Sequence, residues 1–175
     1  QITLKWEGKS EQDIFYFHLL GLNVDSVFYN NKSIEFDGLM TDNTLDFRWE
    51  ILRPAEDDKD TAVITIFYSG RMISEGGKYD WGGVHFSNNI LFNMGVGFYN
   101  PNVSGGRYWM PCFDHPSDKA KFSAKFTVPT ELTVASVGLL KSVKELGKSR
   151  KIYEWEHNFE CATYLMNFAV SDFIV

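Results

Sequence analysis

The chain has 175 residues, 44% of them hydrophobic and 23% charged, a make-up that fits one folded globular domain and excludes a disordered or fibrous chain. A formal net charge of -6 excludes the basic face that phosphate groups require, so no nucleic-acid partner is expected. No apolar run approaches the ~20 residues of a membrane-spanning helix, and the 16% aromatic content favours strands, where flat side chains pack across a pleated surface.

Ile2-Thr3-Leu4-Lys5-Trp6 opens the chain in a strand-like run, so the natural start is expected upstream. Val27-Phe28-Tyr29 and Ile34-Glu35-Phe36 flank Asn30-Asn31-Lys32, which predicts a hairpin because Asn tolerates positive φ. Leu45, Phe47, Trp49 and Ile51 alternate with Asp46, Arg48 and Glu50, the pattern of a strand wet on one face. Pro54 and the charged run Glu56 to Asp60 predict a solvated loop. In Ala62 to Tyr68 both alternating sets, Ile64, Ile66 and Tyr68 against Val63, Thr65 and Phe67, are largely apolar, so this strand is expected to be covered on both faces. Gly70, Gly76-Gly77 and Gly82-Gly83 then break the pattern.

Further on, Phe122, Ala124, Phe126 and Val128 alternate with Lys121, Ser123, Lys125 and Thr127, predicting another one-sided strand. Gly147-Lys148-Ser149 reads as a hairpin tip. Helical periodicity is scarce throughout. The predicted class is all-β, with short strands in packed or curved antiparallel sheets and little helix.

Local chemistry is sparse. His18, His85, His115 and His157 are mutually distant in the chain, and none stands four residues from another, so the two-histidine helical spacing of a zinc protease is missing. There is no nucleophile elbow and no phosphate-cradling loop. Cys112 and Cys161 are the two cysteines; they exclude a disulfide framework, remain compatible with one bridge, and are expected as two buried thiols. Composition and spacing predict no metal site and no catalytic residue here.

The stretch Gly106-Arg107-Tyr108-Trp109-Met110-Pro111-Cys112-Phe113-Asp114-His115-Pro116-Ser117-Asp118-Lys119-Ala120-Lys121-Phe122 is more particular. Pro111 and Pro116 each fix φ and remove a donor, which makes a rigid connector. Asp114 is suited to accept nearby backbone N–H groups, and Arg107 to pair with an acidic neighbour.

This stretch resembles the Arg-x-x-x-Pro-Cys-Phe-Asp-x-Pro-x-x-Lys-Ala-x-Phe segment of the family M1 zinc aminopeptidases. Nine residue types agree without a gap: Arg107, Pro111, Cys112, Phe113, Asp114, Pro116, Lys119, Ala120 and Phe122. Leu19 to Val27, Ile64 to Gly70, Val134 to Gly138 and Ala162 to Phe173 are similar to flanking strands of that family, in order. Asp80 to Phe86 and Phe92 to Phe98 resemble a bacterial branch.

The resemblance implies a saddle of curved β-sheets as the N-terminal domain of such an enzyme, residues 1–175 forming that single domain. It places the zinc motif, His-Glu-x-x-His, and the catalysis in a following domain that this chain lacks. The parent would bind Zn2+ and remove N-terminal residues from peptides; this portion would hold neither metal nor catalytic residue. Its partners would be the parent's own catalytic domain and, through it, a peptide. In the family a Gln or Glu shortly before the Arg holds the substrate's free amine. Here Asn102 is the nearest equivalent and Asn100 the second, each shorter and uncharged. Two alternatives stand beside this reading: a non-catalytic M1-like scaffold, and a β-sandwich binding module whose Trp6, Trp81 or Trp155 would line a groove.

Overall fold

The computed structural model describes residues 1–7, 14–40, 47–52, 61–99 and 104–173. Its strands are β1 (Ile2–Glu7), β2 (Ile14–His18), β3 (Leu22–Tyr29), β4 (Lys32–Ile34), β5 (Asp37–Met40), β6 (Phe47–Leu52) and β7 (Thr61–Gly70). They are followed by β8 (Gly83–Ser87), β9 (Ile90–Met94), β10 (Lys119–Pro129), β11 (Thr133–Ser136), β12 (Leu139–Leu146), β13 (Arg150–Ala162) and β14 (Phe168–Ser171). Among the described residues there is no α-helix, only 3-10 turns at Gly106–Tyr108 and Thr163–Leu165.

Among the described residues the strands make four antiparallel sheets, ordered β1-β7-β3-β4, β2-β6-β5, β11-β14-β9-β8 and β10-β13-β12. Short turns set several registers. Asn30 and Asn31 take φ of 46° and 67° between paired Tyr29 and Lys32, a two-residue turn whose twist matches that of the flanking strands. Asn88 and Asn89 repeat the device at 51° and 64° between Ser87 and Ile90. Gly147, at φ 70°, opens the predicted tip between β12 and β13.

Alternation places the core. In β10, Val128 is buried and Phe122 and Phe126 pack against one cluster, while Lys121, Ser123, Lys125 and Thr127 are exposed, as the sequence predicts. That cluster holds Tyr108, Trp109, Val134, Tyr153 and Phe168. A second cluster, with Phe17, Val27, Ile51 and Ile66 at its centre, lies between the first two sheets. Each fully buried side chain of this kind stabilises by about 1.5–3 kcal/mol. Ile2 packs against both clusters.

β7 departs from expectation. Ala62, Ile64 and Ile66 are buried, but Val63 and Thr65 are only half-buried and Phe67 is exposed. On that face Phe67 meets Phe28 at 5.8 Å between ring centroids, and Thr65 lies beside Thr3 with 3.3 Å between their hydroxyl oxygens. Apolar composition alone did not reveal that the strand's second face is half open. The predicted loop from Pro54 to Asp60, and Leu45 with Asp46, lie outside the described residues.

Candidate functional site

The connector from Ser104 to Asp118 is tied at both ends before any side chain is considered. Ser104 bridges Val96, and the Gly105 N–H donates to the Gly95 carbonyl at 2.6 Å. The 3-10 turn follows, and the Arg107 carbonyl accepts from the Leu20 N–H at 2.8 Å. His18 and Cys112 then exchange a pair of backbone bonds, His18 N–H to Cys112 O at 2.8 Å and Cys112 N–H to His18 O at 3.3 Å. Residues 104–112 are all buried, so Pro111 sits in a packed segment and not in a surface loop, whereas Pro116 is half-buried beside the exposed Ser117.

Asp114 is the hub. Its Oδ2 accepts from Arg107 Nε at 2.8 Å and from the Arg107 N–H at 3.2 Å. Its Oδ1 accepts from the Gly106 N–H and from Thr163 Oγ1, both at 3.2 Å. Arg107 Nη2 also donates to the Asp114 carbonyl at 3.3 Å. The Asp114 N–H donates to His18 Nδ1 at 3.1 Å, so a proton on that ring belongs on Nε2. The acidic neighbour expected for Arg107 and the N–H groups expected for Asp114 are thus largely each other's. His18, weighed from the sequence only as a metal ligand, and Thr163, noted only within a family-like strand, complete the set from elements 96 and 49 residues away.

With Arg107 1% exposed and Asp114 0% exposed, this pair is paid for by hydrogen bonds on every side, which a buried ion pair requires to be tolerated. It staples the end of β2 to the turn after β13. The arrangement holds backbone; it offers no nucleophile. Burial pushes the Cys112 thiol well above its ordinary range, burial also raises the Cys161 thiol, and both cysteines are free. Cys161 is half-buried and Cys112 buried, which corrects the expectation of two buried thiols for Cys161. Alkylation of the native chain with iodoacetamide at neutral pH, followed by mass spectrometry, should label Cys161 slowly and Cys112 only once denaturant is added, because the thiolate is the reactive form.

The four histidines are separately occupied. His85 Nε2 lies 2.8 Å from the Trp81 carbonyl, His115 Nδ1 lies 2.6 Å from Ser117 Oγ, and His157 stands edge-on to Phe159 at 6.1 Å. Among the described residues no group of three or more His, Cys, Asp or Glu side chains could hold a metal ion.

Asn100 and Asn102, the predicted amine-binding residues, lie outside the described residues. Their described flanks are Phe98 and Tyr99 on one side and Ser104 on the other. Phe98 is 65% exposed and meets Tyr79 at 5.6 Å and Trp81 at 6.4 Å between ring centroids. Of the tryptophans suggested as a groove, Trp6 packs on one core cluster and Trp155 on the other. Trp81 alone of the three is exposed, so they do not line one surface.

Comparison with known proteins follows the same lines. Residues 93–165 match the model of the Peptidase M1 N-terminal domain. A leucyl aminopeptidase of Saccharolobus solfataricus is 24% identical over 97% of the chain and 19% of its own length. The M1 zinc metallopeptidase of Deinococcus radiodurans superposes with a TM-score of 0.76 at 24% identity, over 97% of this chain and 36% of that one. The aminopeptidase A of Legionella pneumophila superposes with a TM-score of 0.72 at 15% identity, over 94% and 18%. The chain thus spans about a fifth of the length of that curated relative, and its all-β fold is the one these structures share. No helix among the described residues is long and apolar enough to cross a membrane.

Proposed function

We propose that this peptidase M1 N-terminal domain forms one wall of the substrate cleft in a longer zinc aminopeptidase, and that it is not catalytic alone. On this reading residues 1–175 are a single β domain, and the zinc and its activated water belong to a catalytic domain outside the chain. The partners are that domain and, through it, a peptide; the acidic charge argues against nucleic acid.

The observation that carries the reading is the buried Arg107–Asp114 staple. It fixes residues 104–118 to the strand end at His18 and to the turn at Thr163. A segment held this firmly next to Asn100 and Asn102 is what a specificity element needs, because substrate groups are discriminated only by donors and acceptors already in place. Asn102, with an amide acceptor, is proposed to hold the free amine of the substrate, with Asn100 as the second candidate.

In the full-length protein, Asn102→Ala should raise KM for free-amine dipeptides about tenfold, the size of one lost hydrogen bond to a charged group. It should leave the inhibition constant of the N-acetylated dipeptide unchanged. Equal change in both would reduce Asn102 to a turn residue. A full-length protein with no chelator-sensitive turnover would instead favour the non-catalytic scaffold.

A further inference from the structure

Glu75 lies in the glycine-rich excursion between β7 and β8, where the sequence shows only a lone acid beside Gly76-Gly77. Its carboxyl group nevertheless gathers main chain from two separate segments. Oε1 accepts from the Trp81 N–H at 3.0 Å. Both oxygens accept from the Phe98 N–H, at 3.2 and 2.9 Å, and Oε2 accepts from the Tyr99 N–H at 3.3 Å. The Glu75 N–H in turn donates to the Gly82 carbonyl at 2.8 Å.

The slot is built by the absence of side chains. A Cβ on Gly82 would come within 2.9 Å of Glu75 Oε2 and 2.7 Å of the Gly97 Cα. A Cβ on Gly97 would collide with Glu75 Oε2 itself. Both glycines are buried, so a methyl group at either position would push the Glu75 carboxyl out of its place. Two further bonds stiffen the same excursion: the Asp80 carboxyl accepts from the Gly76 N–H at 2.8 Å, and the Tyr99 hydroxyl accepts from the Lys78 N–H at 2.9 Å. Asp80 is held below the usual carboxylate range, chiefly by the Ser74 side-chain hydrogen bond.

We propose that Glu75 is a positioning residue for amine recognition: it fixes Phe98 and Tyr99, the residues that lead directly into Asn100 and Asn102. This rests on the reading of Asn102 given above. The bonds run to backbone N–H groups, so they set where the chain enters that segment whatever its side chains are. A main-chain shift on the order of 1 Å at such a place costs up to about a hundredfold in a precisely oriented contact.

The test uses the full-length protein with three variants: Glu75→Gln, Gly97→Ala and Asn102→Ala. Glu75→Gln turns one acceptor towards the donors into a donor. Gly97→Ala keeps Glu75 but displaces its carboxyl. Both should raise KM for a free-amine dipeptide by about tenfold or more, leave the inhibition constant of its N-acetylated form unchanged, and accelerate amide hydrogen exchange at Phe98 and Tyr99. A free-amine KM unmoved by Glu75→Gln, while Asn102→Ala raises it, overturns the role of Glu75 and leaves the Asn102 reading standing. Loss of both ligands alike, with a lowered thermal midpoint, assigns Glu75 to stability only and also overturns the proposal. If Asn102→Ala itself discriminates nothing, the amine-binding reading fails, and the role of Glu75 falls with it.

Discussion

Replacing Asp114 with Ala should cost the chain about 3–5 kcal/mol, the range found when one partner of a buried ion pair is removed. The variant leaves the Arg107 guanidinium in a fully buried site with its carboxylate gone, and it strips acceptors from the Gly106 and Arg107 N–H groups and from Thr163. Against a total stability of about 5–15 kcal/mol for a domain of this size, that loss removes much of the margin. Urea unfolding followed by tryptophan fluorescence measures it as a large drop in midpoint. The control is Lys125→Ala, which breaks an exposed pair with Glu154 at 3.5 Å; exposed pairs are screened by water, so its midpoint should not move measurably. Equal midpoints for the two variants would show that the Arg107–Asp114 staple does not hold the connector.

The second large effect is expected at Trp109→Ala. The indole is buried in the cluster formed by β10, β11, β13 and β14 and stands edge-on to Phe168 at 5.0 Å and Phe122 at 6.2 Å. Truncation removes its buried area, leaves a cavity and breaks two aromatic contacts, together about 3–5 kcal/mol. Phe159, 77% exposed on β13, is the matched control: its truncation touches no core and should leave the midpoint within error. The contrast also bears on function, because Trp109 directly follows the turn that carries Arg107. Destabilisation at Trp109 should therefore bring faster amide exchange along residues 104–112, whereas destabilisation in the other cluster, at Ile51 for example, should not do so first.

Several features were legible without a fold because their causes are local. Alternation in β10 shows which side chains face the core, since successive side chains of a strand point to opposite faces. Asn30-Asn31 and Gly147 declare their turns through positive φ. The Asn88-Asn89 turn carries the same signal and was readable on the same ground. The ungapped run from Arg107 to Phe122 identified the family type that the comparison with the Peptidase M1 N-terminal domain then met over residues 93–165.

What the chain's own residues determined, then, is the strand pattern, the hairpin turns and the presence of a rigid, proline-bounded connector. Tertiary structure alone decided who holds that connector. Asp114 is reached by His18 across 96 residues and by Thr163 across 49, and Glu75 reaches Phe98 and Tyr99 across 23 and 24. No spacing rule encodes such pairs, because once local periodicity is satisfied, sheet order fixes which distant backbone groups meet, and a buried N–H or carboxyl must then find its partner wherever the packing has brought one. The half-open second face of β7 has the same origin: apolar side chains say that a face can be covered, and only the arrangement of neighbouring sheets says whether it is.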